Sequence, residues 1–76
     1  MDQSLAQLKP GSTGTVYGFT DPEISLKLIE LGCIPGTAVK MIRVAPLGDP
    51  VAFECCGSLI SIRLQEAATV KIHTDE

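Results

Sequence analysis

The sequence contains no run of basic residues: its six Lys and Arg are scattered, and nine Asp and Glu outweigh them for a net charge of −3. A nucleic-acid surface needs clustered cations to displace phosphate counterions, and anionic lipid needs a similar cluster, so neither is expected as a target. No segment reaches the roughly 20 apolar residues that cross a bilayer. The opening MDQSLAQLKPG has neither the charged nor the apolar region of an export signal. There is one His, no GxxxxGK[ST] or GxGxxG phosphate loop, and no Ser/His/Asp or Cys/His grouping placed by motif. An enzyme is therefore not expected. The carboxylate pairs Asp21/Glu23 and Asp75/Glu76 are accounted for by a helix start and a frayed tail. Cysteine is sparse and odd in number, at Cys33, Cys55 and Cys56. That pattern, without an export signal, indicates reduced thiols and a cytoplasmic protein.

What is present is a chain of 76 residues, 45% hydrophobic and 20% charged, with no repeat, linker or low-complexity segment. It reads as one globular domain over residues 1–76 with a thin core. A core this small leaves apolar surface for a partner or a second copy, so a homo-oligomer is allowed.

Along the chain, Ser4–Leu8 fits one helical turn or an edge strand and ends at the turn Lys9-Pro10-Gly11. Thr13–Thr20 has β-branched and aromatic residues of a strand, with Gly14 and Gly18 marking bends or a bulge. Asp21-Pro22-Glu23 starts a helix: Asp21 as N-cap, Pro22 in the first position, Glu23 complementing the dipole. That helix runs to about Leu31 and stops at Gly32, and Pro35-Gly36 has the order of a type II turn. Thr37–Val44 and Val51–Cys55 form a hairpin, and Gly57-Ser58 turns into Leu59–Leu64, where Ile60, Ile62 and Leu64 alternate with polar residues. A helical turn over Gln65–Ala68 precedes a last strand holding Val70 and Ile72. About five short strands with one inserted helix predict a mainly β fold, a small closed or nearly closed SH3-like barrel.

Two segments stand out. At about 100° per residue, Ile24, Leu28 and Leu31 share one narrow helix face, which is expected to pack the barrel. Leu26 and Ile29 fall nearly opposite, with Ser25, Lys27 and Glu30 around them. Either the helix lies in a groove, buried on two sides, or these residues are an exposed docking pair. The second segment is VAPLGDP, residues 44–50. Pro46 and Pro50 fix the backbone, Gly48 allows a positive φ, and Asp49 is expected to hold the turn by bonding nearby amides. It is either a well-made hairpin connection or a stiff recognition loop with Leu47 at its tip, which would lose little entropy on binding.

The cysteines offer little to a metal. Cys55 and Cys56 are adjacent on a strand, so their side chains are expected on opposite faces, and no Cys-x-x-Cys spacing is present. Cys55 is expected to be a buried thiol, with Cys33 and Cys56 partly exposed. The weak metal candidates are Cys33, Cys56 and His73. Thiolates would favour zinc or copper over ferrous iron.

Three stretches, LIELGCIPG (28–36), IRVAPLGDP (42–50) and SLISIRLQEA (58–67), resemble in sequence, order and spacing the ferrous-iron transport protein A family. The resemblance covers roughly residues 8 to 73. It implies a small cytoplasmic SH3-like adaptor or regulator, with no required cofactor, recruited to the inner face of the membrane by the ferrous-iron transporter B. The implied contact is that transporter's cytosolic GTPase domain. The candidate partner-binding residues are Leu26, Ile29, Glu30, Pro46, Leu47 and Asp49. The alternative within the same system is a module that binds a transition metal, Fe²⁺, and reports its level.

Overall fold

The computed structural model describes residues 2–74; the tail reading for Asp75/Glu76 lies outside them. Six strands form one antiparallel sheet: β1 (Asp2–Ser4), β2 (Thr13–Phe19), β3 (Ala38–Val44), β4 (Val51–Cys55), β5 (Ser58–Ile62) and β6 (Val70–His73). Their spatial order is β1-β6-β2-β3-β4-β5. Helix α1 (Pro22–Glu30) lies between β2 and β3, and the single turn α2 (Leu64–Ala67) lies between β5 and β6. A flat sheet of this size would be a thin slab, yet the molecule measures 28 × 26 × 23 Å. The sheet is therefore bent around its core, in the manner of an SH3-like barrel.

The strand count is six rather than about five because an edge strand forms ahead of the expected Ser4–Leu8 element, which itself takes the helical-turn state. Asp2–Ser4 pairs with β6, Ser4 facing Lys71, and Leu5–Gln7 then makes one 3₁₀ turn that buries Leu5. Gln7 Oε1 accepts the Ser4 amide at 2.8 Å and holds that turn.

The core is built from the inward positions of the alternating strands: Val16, Val39, Met41, Val51, Phe53, Ile60, Ile62, Val70 and Ile72, sealed by Leu5, Leu8, Leu28 and Ala67. Alternation is interrupted at two bulges, between Val16 and Gly18 against β6 and between Met41 and Arg43 against β4. Such bulges sharpen the local twist and bend the sheet. Gly14 serves a different need: a Cβ there would run into the Ile72 side chain and crowd the His73 carbonyl. The Pro35-Gly36 turn closes with the Thr37 N–H donating to Ile34 O at 3.1 Å.

Candidate docking surface

Helix α1 begins as its residues dictate. Asp21 Oδ1 accepts the amides of Glu23 (2.9 Å) and Ile24 (3.3 Å), and Pro22 occupies the first turn. The helix ends in a Schellman turn: Cys33 N–H donates to Leu28 O at 2.9 Å and Gly32 N–H to Ile29 O at 3.0 Å. Gly32 has φ +93°, a left-handed conformation in which a side chain would be strained.

Leu28 is fully buried and Ile24 half-buried, so α1 packs through that face. Leu31 does not join them; it is 49% exposed. The helical ladder stops at Glu30, and Leu31, the C-cap with φ −87° and ψ 1°, has left the 100° progression. Leu26 is 61% exposed, and Ile29 and Glu30 are exposed beside it, so α1 is buried on one side only. Ile34, just past the Schellman turn, is exposed as well. The helical period places only Leu26 and Ile29 on the exposed side; Leu31 and Ile34 are further exposed apolar residues at the C-terminal end of α1 and just beyond it.

The loop after β3 is closed at two levels. Gly48 N–H donates to Ala45 O at 2.7 Å, making a turn with Pro46 and Leu47 as its central residues. Ala45 N–H donates to Pro50 O at 3.0 Å and ties the base. Gly48 takes φ +90°, and the Asp49–Pro50 bond is cis. Leu47 at the tip is 97% exposed. Asp49 does not hold its own turn by bonding nearby amides, contrary to expectation. Its Oδ1 accepts the Leu64 N–H at 3.0 Å, the first amide of α2. That amide is one of the orphan donors every helix start leaves open, and Asp49 fills the place across fifteen residues of sequence.

Between α1 and this loop lies an open cleft of about 460 Å³, lined by Lys27, Asp49, Pro50, Ser61, Ile62, Arg63 and Glu66. Lys27 Nζ reaches Glu66 Oε2 at 3.9 Å across it, with the lysine half in solvent. Glu66 Oε1 accepts the Arg63 N–H at 2.9 Å. Both carboxylates of the cleft are therefore engaged, and neither points to a vacant cation site. β5 and α2 contribute Ser61, Ile62, Arg63 and Glu66 to the cleft, and their signal in the sequence is the polar alternation of Ser61 and Arg63.

The candidate metal residues do not assemble. His73 closes β6, exposed, with Nδ1 3.1 Å from Asp2 Oδ1. Among the described residues no three His, Cys, Asp or Glu side chains are arranged to hold a metal ion. The thiols nevertheless correct two expectations. Cys33 is fully buried, because the Schellman turn folds it back over Leu28. Cys55 and Cys56 do not face opposite ways: their sulfurs are 3.9 Å apart. Cys56 is not in a strand but in a two-residue hairpin turn with Gly57, at φ +53° and +80°, so strand alternation ends at Cys55. Burial first, then the neighbouring thiols, push Cys55 up to about 12. Burial likewise raises Cys33.

A bent antiparallel sheet, a helix inserted between β2 and β3, and a helical turn before the last strand define a small SH3-like domain. The family model for the FeoA domain matches residues 3–73, and the chain belongs to the FeoA family. Its fold is similar to the solution structure of FeoA protein from Chlorobium tepidum, at 33% identity and TM-score 0.89, over 97% of this chain and 71% of that one. It is similar to a FeoA-like protein from Clostridium acetobutylicum at 25% identity and TM-score 0.87, over 99% and 88% of the two chains. The zinc-complexed FeoA of Stenotrophomonas maltophilia, described as a prokaryotic SH3 domain protein, matches at 25% identity and TM-score 0.81, over 92% and 88%. No described helix is long and apolar enough to cross a membrane.

Proposed function

We propose that this protein is an adaptor of a ferrous-iron transport system that docks on the cytosolic GTPase domain of the membrane ferrous-iron transporter B, through α1 and the loop 45–50. Membership of the FeoA family supports the transport system as its setting. The S. maltophilia relative has been put forward as a ferrous-iron transport activating factor. The observation that carries the docking surface is the convergence of its two halves on one cleft, with Lys27 of α1 on one side and Asp49 and Pro50 on the other. Leu26, Ile29 and Glu30 on the helix and Pro46 and Leu47 on the loop do not line the cleft but are exposed on the same two elements. A well-packed side chain such as Leu47 contributes roughly 1.5–3 kcal/mol when fully buried. The doubly closed loop is already ordered, so binding loses little further entropy. Docking of this kind requires no cofactor.

Titration of the ¹⁵N-labelled protein with the GTPase domain tests this reading. Shifts clustered at Ser25–Leu31 and Pro46–Asp49 are expected, and the double variant Leu26→Glu/Ile29→Glu should fold and fail to bind. Undiminished binding by that folded variant would remove α1 from the contact. The alternative reading, direct Fe²⁺ sensing, has no three-ligand group among the described residues, and anaerobic calorimetry with Fe²⁺ decides it.

A further inference from the structure

The docking surface leaves one cluster unused. Cys33 at the exit of α1 and Cys55 at the end of β4 are both buried, and Cys56 beside them is exposed. The Cys55 thiol donates to Cys56 Sγ at 3.9 Å, and Cys56 Sγ lies 3.6 Å from Gly32 O. Cys33 is a further side-chain neighbour of Cys55. Three thiols thus form a chain from the surface to the core, with one point of entry.

The turn gives a second, independent observation. A two-residue hairpin turn with both residues at positive φ favours Asn-Gly or Asp-Gly. Here the first place is held by Cys56, at φ +53°, a conformation L side chains other than Asn and Asp rarely adopt. Turn geometry does not explain a cysteine there. Strained residues that the surroundings hold in place are a mark of function.

We infer that Cys56 is a reversible oxidation site, at which a hydroperoxide oxidises the exposed thiol and Cys55 then closes a disulfide with it. In the first step the Cys56 thiolate attacks a peroxide oxygen. The O–O bond breaks, leaving Cys56 sulfenic acid and, from hydrogen peroxide, hydroxide that takes up the thiol's proton as water. In the second step Cys55 sulfur attacks Cys56 sulfur. The S–S bond forms, the S–O bond breaks, and the Cys55 proton leaves with the departing hydroxide as a second water. Two thiols lose two electrons and the peroxide gains them.

Exposure governs the first step, which is why it starts at Cys56 and not at its buried neighbours. The second step is slowed by the burial that keeps Cys55 protonated, and the 3.9 Å placement of the two sulfurs is what offsets this. The product is readily reversed: adjacent residues hold their Cα atoms about 3.8 Å apart, closer than the usual range of about 4.4–6.8 Å for a disulfide, and strained bridges reduce easily. Compartments that keep thiols reduced use cysteine pairs of this transient kind as sensors.

The test treats the reduced full chain with hydrogen peroxide, alkylates the remaining thiols and maps the peptides by mass. The expected product has lost two hydrogens, keeps one alkylatable thiol of the three, and carries the bridge between Cys55 and Cys56. Dithiothreitol restores it. In Cys55→Ser, a sulfenic acid persists at Cys56 and is captured by dimedone. In Cys56→Ser, disulfide formation slows by about tenfold or more, since no exposed thiol remains. The inference is overturned if wild-type Cys56 gains oxygen atoms while Cys55 stays alkylatable, or if Cys56→Ser oxidises as fast as wild type. The wild-type mapping decides even where a variant fails to fold.

Discussion

Asp49 caps a helix to which it is not connected: its Oδ1 accepts the Leu64 N–H at 3.0 Å, joining the loop after β3 to the start of α2. The loop that presents Leu47 is therefore anchored on one side by its own turn and on the other by a separate element. Removing the carboxylate should leave an unsatisfied helix-start amide. Asp49→Ala is expected to cost about 1 kcal/mol, within the range found for lost N-caps, and Asp49→Asn less, because its side-chain oxygen still accepts. Urea unfolding of the three proteins checks this. Equal midpoints would mean that water serves Leu64 as well as Asp49 does.

The two glycines of β2 should behave oppositely when given a methyl group. At Gly14 the added Cβ meets the Ile72 side chain and the His73 carbonyl, whereas at Gly18 the nearest atom is a methylene of the Lys71 side chain at 3.7 Å. Gly14→Ala should push β2 from β6 and destabilise by roughly 1–3 kcal/mol, as overpacking does. Gly18→Ala should be neutral or stabilising by up to about 1 kcal/mol, since it removes a flexible residue from a strand. Thermal unfolding of the pair side by side decides it, with a reversed order sinking the argument.

These contrasts show where the sequence is legible. β2 to β6 are readable because short runs rich in β-branched and apolar residues are bounded by turns that use Gly and Pro, with clear alternation only around Ile60 and Ile62. Asp21 and Pro22 announced α1, and the Gly32 cap announced its end. The three residues of β1 carry no alternation; they are a strand only because β6 lies beside them. Leu31 was misplaced because a helical period says nothing of the residue that leaves the helix. Cys56 was misplaced for the same reason at the end of a strand. The Asp49–Leu64 bond has no local signal, since the two residues meet only after β4 and β5 have folded back. The family match was legible in the three quoted stretches, but the cleft they surround emerged only from the packing of α1, the loop and α2 together.

Burial separates stability from docking. Leu28 is fully buried and Leu47 almost fully exposed. Leu28→Ala should cost roughly 2–5 kcal/mol, a large share of what so small a domain has, and should release α1. Leu47→Glu should change stability by less than about 0.5 kcal/mol while weakening any contact made through the loop tip. Unfolding curves and GTPase-domain binding, measured on the same preparations, test both halves. A stable Leu47→Glu protein with unchanged affinity would exclude the tip from the interface.

Buried thiols give the fold an alkaline limit. Burial, followed by the neighbouring Cys33 and Cys56, raises Cys55 from 9.0 to about 12, and burial raises Cys33 as well. A raised folded-state value means that the native protein holds these protons more tightly than the unfolded chain does. The associated stability is fully present below about 9, where both states are protonated. It falls as pH rises towards about 12, because the unfolded chain ionises first and is favoured by doing so. The free energy of unfolding, measured under reducing conditions from neutral pH upwards, should therefore decline above about pH 9. In Cys55→Ala the whole curve should start lower, because a buried side chain has been truncated, but its alkaline slope should be shallower. An unchanged slope in that variant would assign the alkaline loss to groups other than the thiol cluster.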